Sequence, residues 1–297
     1  MPIDEITEAE AWSATRSSIN RQRAGVDRAS NSGSDAPIHF MPDGSWHAER
    51  PVSAPAQSLL EVFAPLVSRT GPLVIGQLGQ SLDGRIATHT GASHYINGEA
   101  ARTHLHRLRA IVDAVVIGVG TLNADDPQLT VRHVEGHNPV RVLLDPTGRA
   151  RADCRLFRDG QARVLHLQAQ GAGAGAGAGN PSLPAGIESV QLPHHPAFGI
   201  HPAVVLQSLV ERGLQRVLVE GGGLTVSRFL EAGALHRLHL LVAPMLIGSG
   251  RPGICLPPIA TLEAALRPRC RVFACGADSL FDLALGAPAA EPSTGTI

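Results

Sequence analysis

Val112–Arg132, VDAVVIGVGTLNADDPQLTVR, is the stretch whose reading decides the fold. Ala114-Val115-Val116-Ile117 is a short, β-branched apolar run, the composition of a strand buried on both faces in a parallel sheet. Gly118 and Gly120 end it, and glycine there lets the chain turn sharply and lets a ligand approach the backbone. Thr121 and Asn123 add polar groups, Asp125-Asp126-Pro127 reads as a rigid acidic turn, and Arg132 closes the stretch with a cation. A buried strand running through glycine into polar residues is how an open α/β sheet builds a ligand crevice.

Working outward, Leu73-Val74-Ile75 begins another buried strand, and Gly76–Ala87 (GQLGQSLDGRIA) reads, taken alone, as a bulge and a hairpin turn. Asn97 is placed to cap a helix in which Ala101, Leu105, Leu108 and Val112 form the core stripe. Arg102, His106 and Arg109 form a second stripe of that helix, and Arg109 stands at its end, beside the strand Ala114–Ile117. Pro139–Asp145, Arg163–Leu167, Ile187–Leu192 and Leu235–Ala243 read as further strands, and Ala203–Arg212 as a helix. In Arg216–Gly223 (RVLVEGGG) a buried strand ends at Glu220, and Gly221, Gly222 and Gly223 lead into a helix from Leu224. Such a glycine-rich helix N-terminus suits a phosphate or pyrophosphate. Arg269–Cys275 and Ser279–Leu285 read as a closing antiparallel hairpin.

Residues 1–55 show no sustained periodicity and read as a mostly flexible extension, unable over residues 1–35 to bury enough apolar surface to order itself. Within it, Ile38–Trp46 around Pro42-Asp43-Gly44 suits a small hairpin. Residues 56–286 are expected to form one domain, with the GAGAGAGAG of 171–179 a flexible loop and 287–297 a disordered tail.

Composition excludes several function classes. The formal net charge is -1, which offers no electrostatic footprint for nucleic acid or an anionic membrane. All 25 basic residues are arginine, so no lysine chemistry is available. Cys154, Cys255, Cys270 and Cys275 lack CxxC spacing, which points to neither disulfides nor a metal and fits the cytoplasm. His47-Ala48-Glu49 has the H-x-E of zinc deaminases without the downstream cysteine pair, and reads as surface residues. No apolar run reaches membrane-spanning length.

The segments QLGQSLDGRIA, SHYINGEAARTHLHRLRA, DAVVIGVGTLNADDPQLTVR, VRVLLD, VLVEGGGLTVSRFL and LLVAPMLIGSG resemble, in order and spacing, the reductase domain of riboflavin biosynthesis. That domain is the C-terminal half of the bifunctional deaminase–reductase, and the resemblance covers about residues 72–285. It implies a dihydrofolate-reductase-like α/β fold: a mostly parallel central sheet, helices on both faces and a C-terminal antiparallel hairpin. It implies NADPH-dependent reduction of 5-amino-6-(5-phosphoribosylamino)uracil, with hydride delivered to the ribose C1′, by a homodimer.

The resemblance also assigns residues. Ser93, Arg109 and Arg132 match positions that hold the substrate's phosphate and ribose, and Leu129 and Glu220 match substrate contacts. Arg85 matches a cation near the substrate, often lysine in the family. Gly79, Tyr95, Gly118, Gly120, Thr121, Asp125 and Gly221–Gly223 fall to the cofactor, with Tyr95 where members often carry tryptophan. Asp83 and Glu220 are the carboxylates near the crevice with a claim to proton transfer, and water is the alternative. A reductase of another pyrimidine, pteridine or folate, or a non-catalytic binding protein, stays open on the same scaffold.

Overall fold

The computed structural model describes residues 4–25, 37–171, 184 and 186–286. The call of a disordered tail at 287–297, and nearly all of the Gly-Ala repeat, lie outside these residues. The chain divides into two compact units, Met1–Leu73 and Val74–Ile297.

The first unit corrects the expectation of a mostly flexible extension. Its helix α1 (Glu8–Arg23) opens with a capping box: the Thr7 amide donates to Glu10 at 2.8 Å, and the Glu10 amide donates back to the Thr7 hydroxyl. Strands β1 (Ile38–Phe40) and β2 (Trp46–Ala48) form the expected hairpin, with His39 opposite His47. Helix α2 (Ala54–Val67) follows. Trp12 meets Phe63 edge to face at 5.7 Å, and the Gln22 amide donates to the Val67 carbonyl. The helix escaped the sequence reading because its apolar residues are few and widely spaced: Ala11, Trp12 and Ile19 carry the buried face, with Thr15 and Ser18 between them.

The second unit is built on a nine-stranded sheet. In chain order its elements are β3 (Leu73–Ser81), β4 (Arg85–Ala87), α3 (Glu99–Ile111), β5 (Ala114–Gly118), α4 (Val119–Asp125), β6 (Val140–Leu144), α5 (Arg155–Arg158), β7 (Val164–Ala169) and β8 (Glu188–Leu192). Then come α6 (Pro202–Val210), β9 (Arg216–Val219), α7 (Gly223–Glu231), β10 (Arg237–Ala243), β11 (Arg251–Pro252), β12 (Arg269–Cys275) and β13 (Asp278–Ala284). The sheet order is β12-β13-β10-β3-β9-β5-β6-β7-β8. Strand β10 runs parallel to β3, and β9, β5, β6, β7 and β8 pair in parallel along the row. The hairpin β12–β13 closes the other edge antiparallel, through β10. On one face Ala114, Val116, Val217 and Val219 join Val205, Leu209, Val226 and Phe229 of α6 and α7 in one core cluster. The intervening Val115, Ile117 and Leu218 are buried on the opposite face, where α3 packs beside β9.

Three local readings change. Gly76 and Gly79 sit in an unbroken strand rather than a bulge, opposite Leu238 and Leu241 of β10. A Cβ on Gly79 would lie 2.0 Å from Asn97 Oδ1, so the glycine lets a neighbour close in. Asn97 itself does not cap α3: Gly98 is the N-cap, while the Asn97 amide donates to the Leu241 carbonyl at 3.1 Å. The expected glycine turn after β5 is helix α4, which ends at Asp126 in the left-handed region. Gly118 keeps an ordinary φ of -86, and a Cβ there would sit 2.5 Å from the Thr225 hydroxyl.

Candidate active site

Strand β5 leads through α4 toward β6, whereas β9 leads through α7 toward β10, on the other side. Connections that diverge from adjacent parallel strands leave a crevice beyond their C-terminal ends. Three cavities of 690, 390 and 280 Å³ lie there, and Ser93 and Asp125 line all of them.

The largest cavity is walled by Gly118, Gly120 and Thr121 at the start of α4 and by Gly222 and Gly223 at the start of α7. Arg149, Arg228 and Arg251 also line it, with Phe198, Phe229 and Leu224 as apolar wall. The Thr121 hydroxyl accepts from the Gly222 amide at 2.7 Å, which ties the two glycine segments together. Gly221 has φ +101, a conformation that suits glycine, and its Cα faces the Thr121 side chain. A Cβ on Gly223 would lie 1.9 Å from the Gly253 carbonyl oxygen. Arginines, a helix N-terminus and apolar walls in one elongated cavity fit a nicotinamide dinucleotide, a polyanion with two flat rings. The cofactor assignments at Gly118, Gly120, Thr121, Asp125, Gly222 and Gly223 come together here.

The second cavity lies against α3. Gly79, Tyr95, Leu129, Arg109, Glu220 and Gly221 line it, together with Gln77, Asn97 and Arg102. Tyr95 stands 83% exposed with φ +66, and the Arg102 guanidinium lies 5.8 Å from its ring centre. At the cavity floor, Arg109 (5% exposed) and Glu220 (4%) form a bidentate ion pair at 2.8 and 2.7 Å. The remaining Arg109 fork donates to the Thr130 carbonyl at 3.1 Å. The guanidinium assigned to substrate phosphate is therefore engaged by protein, and both Glu220 oxygens accept from it. This pair fixes the geometry of the cavity floor.

The third cavity is lined by Ser93, Arg109, Leu129, Arg132 and Arg155. Arg132 donates to the Thr130 hydroxyl at 2.7 Å and makes no ion pair among the described residues. Asp126, a conceivable partner for it, is taken by Arg155 at 3.1 Å. Burial, then the nearby Arg109 and Arg155 cations, disfavour the charge on Arg132 and lower its pKa. An exposed guanidinium with no ion pair among the described residues, beside a hydroxyl, suits an anion. Its backbone is set by His106, whose Nδ1 accepts from the Arg132 amide at 3.0 Å. Burial and the Arg109 and Arg132 charges hold the His106 pKa down at about 3, so it stays a neutral acceptor. Sequence reasoning assigns His106 no role, because a basic helix stripe carries no sign that its histidine is buried. Arg155 was equally invisible, lying far from the motif it joins.

Asp83 and Arg85 line none of these cavities. Asp83 accepts from the Ser81 hydroxyl and from the Ile247 and Gly248 amides, which hold its pKa at about 2. Arg85 Nε donates to the Gly248 carbonyl. A carboxyl this acidic has no proton to give near neutral pH, so both residues serve here to pin the loop after β10. Asn123 likewise binds the Arg149 and Arg151 backbone.

The RibD C-terminal domain family matches residues 72–271. The chain is 34% identical over 206 residues to the riboflavin biosynthesis protein RibD of Mycobacterium tuberculosis, covering 67% of this chain and 50% of that protein. It thus spans about half the length of the curated RibD relatives it matches. It is 32% identical over 183 residues to the 2,5-diamino-6-ribosylamino-4(3H)-pyrimidinone 5′-phosphate reductase of Methanothermobacter thermautotrophicus, covering 60% of this chain and 80% of that one. Among solved structures it resembles a diaminohydroxyphosphoribosylaminopyrimidine deaminase/5-amino-6-(5-phosphoribosylamino)uracil reductase from Thermotoga maritima. That match has a TM-score of 0.60 and 27% identity over 79% of this chain and 61% of the other. With this sheet, this crevice and these matches, the chain belongs to the RibD C-terminal domain family and has its dihydrofolate-reductase-like fold.

Proposed function

We propose that this chain is an NADPH-dependent reductase of a phosphorylated ribosylaminopyrimidine, with 5-amino-6-(5-phosphoribosylamino)uracil as substrate and the ribitylamino compound as product. The observation that carries this reading is Arg132, a guanidinium with no ion pair among the described residues, in a cavity that shares Ser93 and Asp125 with the glycine-walled crevice. The archaeal reductase named above supports the substrate class.

The cofactor supplies hydride, and the protein's task is positioning. Arg132, Arg155 and Ser93 hold the substrate phosphate at one end. The Arg109–Glu220 pair and Leu129 set the floor beneath the ribose. Gly222 and Gly223 let the cofactor lie against the start of α7, with Arg149, Arg228 and Arg251 along the largest cavity as charge partners. Thr121, Gly222 and Ile86 line both larger cavities, so the reacting ends meet there. Water supplies the proton, since Glu220 is locked in its ion pair and Asp83 lies elsewhere.

A homodimer completes the reading. Leu256, Ile259, Leu262, Leu266 and Val272, on the segment leading into β12 and on β12 itself, are exposed apolar side chains. Such a grouping suits an interface with a second copy. Steady-state assay with the phosphoribosylaminouracil is the test: turnover with NADPH well above that with NADH is expected. Absence of turnover with either cofactor overturns the reading, and equal efficiency overturns the cofactor choice.

A further inference from the structure

Residues 126–132 belong to no helix or strand, yet Leu129 lines the second and third cavities and Arg132 the third. Backbone carbonyls outside a helix or sheet need other partners. Here alternate carbonyls accept from arginines. Arg155 donates to the Asp126 carbonyl at 2.7 Å, Arg141 to that of Gln128 at 3.3 Å and Arg109 to that of Thr130 at 3.1 Å. A carboxylate balances each guanidinium: Asp126 for Arg155, Asp159 for Arg141 and Glu220 for Arg109. Asp126 at φ +40 and Leu129 at φ +57 stand in the left-handed region without being glycine. Such conformations persist only where surrounding contacts fix them. The Gln128 carbonyl and the Leu129 amide belong to one planar peptide unit, so a donor held on that carbonyl restrains the φ of Leu129.

Arg141 lies on β6, opposite Val115 of β5 and Val164 of β7, and lines none of the three cavities. Its side chain is 1% exposed, and its other donations go to the Ala162 carbonyl and to Asp159, both at 2.6 Å. A buried ion pair is a weak source of stability, because desolvating both charges offsets most of their attraction. What this pair does hold is the one peptide unit that keeps Leu129 left-handed. We therefore propose that Arg141 is a positioning residue for the substrate. Through the Gln128 carbonyl it fixes Leu129 beneath the ribose and, three residues on, Arg132 at the phosphate. Arg109 and Arg155 reach the cavities themselves, whereas Arg141 acts through the backbone alone. The assignment rests on the phosphorylated substrate proposed above and goes beyond it, since it extends the site to a side chain outside its cavities.

The test removes both charges together, as Arg141→Met with Asp159→Asn, so that neither is left buried and unpaired. Arg141→Lys is the second variant: it keeps the cation but lacks the fork that reaches two carbonyls. Both are assayed as full-length protein, after melting curves establish that each is folded. KM for the phosphoribosylaminouracil should rise ~5- to 30-fold in the double variant, below the roughly hundredfold that a misplacement of about 1 Å can cost. Arg141→Lys should show a smaller rise. The NADPH Kd should stay unchanged, because Gln128 does not line the largest cavity. The Kd for ribose 5-phosphate, followed by calorimetry, should rise by the same factor as KM. In an Arg132→Ala background most of that rise should vanish, since both residues act on one phosphate, whereas a merely structural loss would persist. KM unaltered in the folded variants, or a rise undiminished in the Arg132→Ala background, overturns the assignment. Wild-type protein that binds ribose 5-phosphate with this dependence on Arg141 yet turns over no phosphoribosylaminouracil would instead overturn the proposed function alone.

Discussion

Arg132 shows how one residue's surroundings decide between a structural and a functional role. An exposed pair with Asp125 or Asp126 would be worth at most ~1 kcal/mol, but Asp126 belongs to Arg155 and Arg132 makes no ion pair among the described residues. Arg132→Ala should therefore leave the melting temperature nearly unchanged. It should weaken the phosphorylated substrate by ~1.5–3 kcal/mol, the range for a charged hydrogen bond. Arg132→Lys should restore part of that, since an ammonium lacks the planar fork. Equal losses with phosphorylated and dephosphorylated substrate would reject the phosphate role. His106 beneath it gives a pH signature. Its folded pKa of about 3 lies below the ordinary 6.5, so between these values the unfolded chain binds the extra proton. The stability it contributes is complete above 6.5 and is lost as pH falls toward 3. His104, whose pKa is depressed by burial and then by His239, acts in the same sense. Denaturation midpoints should fall from pH 7 to pH 5, and His106→Gln should flatten that slope. A slope unchanged in the variant would show that other groups carry the acid sensitivity.

At the scale of elements, what was legible in the sequence was whatever hydrophobic period dictates. The buried strands β5, β6, β9 and β10 and the closing hairpin lie where their apolar runs predict, to within a residue or two at most ends. Less legible was whatever depends on contacts distant in sequence. The glycines of β3 read locally as a bulge, and only Asn97 folding over Gly79 explains them. Helix α4 was hidden behind two glycines that suggested a turn. The site was legible as a set of positions, yet the partners were not: nothing local announces that Arg109 is spent on Glu220 or that Arg155 joins Arg132. The glycine run at α7 permits a direct test. Gly223→Ala places a methyl 1.9 Å from the Gly253 carbonyl oxygen, a backbone atom that cannot rotate away. The strain should cost ~1–3 kcal/mol of stability and raise the cofactor KM by displacing the start of α7. An unaffected cofactor KM would mean that this turn does not bear on the cofactor.

Across the whole molecule, the two compact units call for separate accounts of stability. Every residue lining the three cavities falls within 77–255, inside the Val74–Ile297 unit. The Met1–Leu73 unit instead holds its core through α1 and α2, with Trp12 against Phe63 and the buried Ile19. Trp12→Ala should cost that unit ~3–5 kcal/mol, the range for removing a buried aromatic side chain. NADPH at a hundredfold excess over its Kd should stabilise the other unit by ~2.7 kcal/mol through mass action alone. Scanning calorimetry of full-length protein separates the two effects. If the units melt independently, Trp12→Ala lowers one transition without altering the cofactor-dependent rise of the other, and turnover at low temperature survives the substitution. If they melt as one, both changes move a single transition in opposite directions, and the loss in Trp12→Ala is largely offset by saturating NADPH. A Trp12→Ala protein with wild-type melting behaviour would reject the packing of α1 on α2.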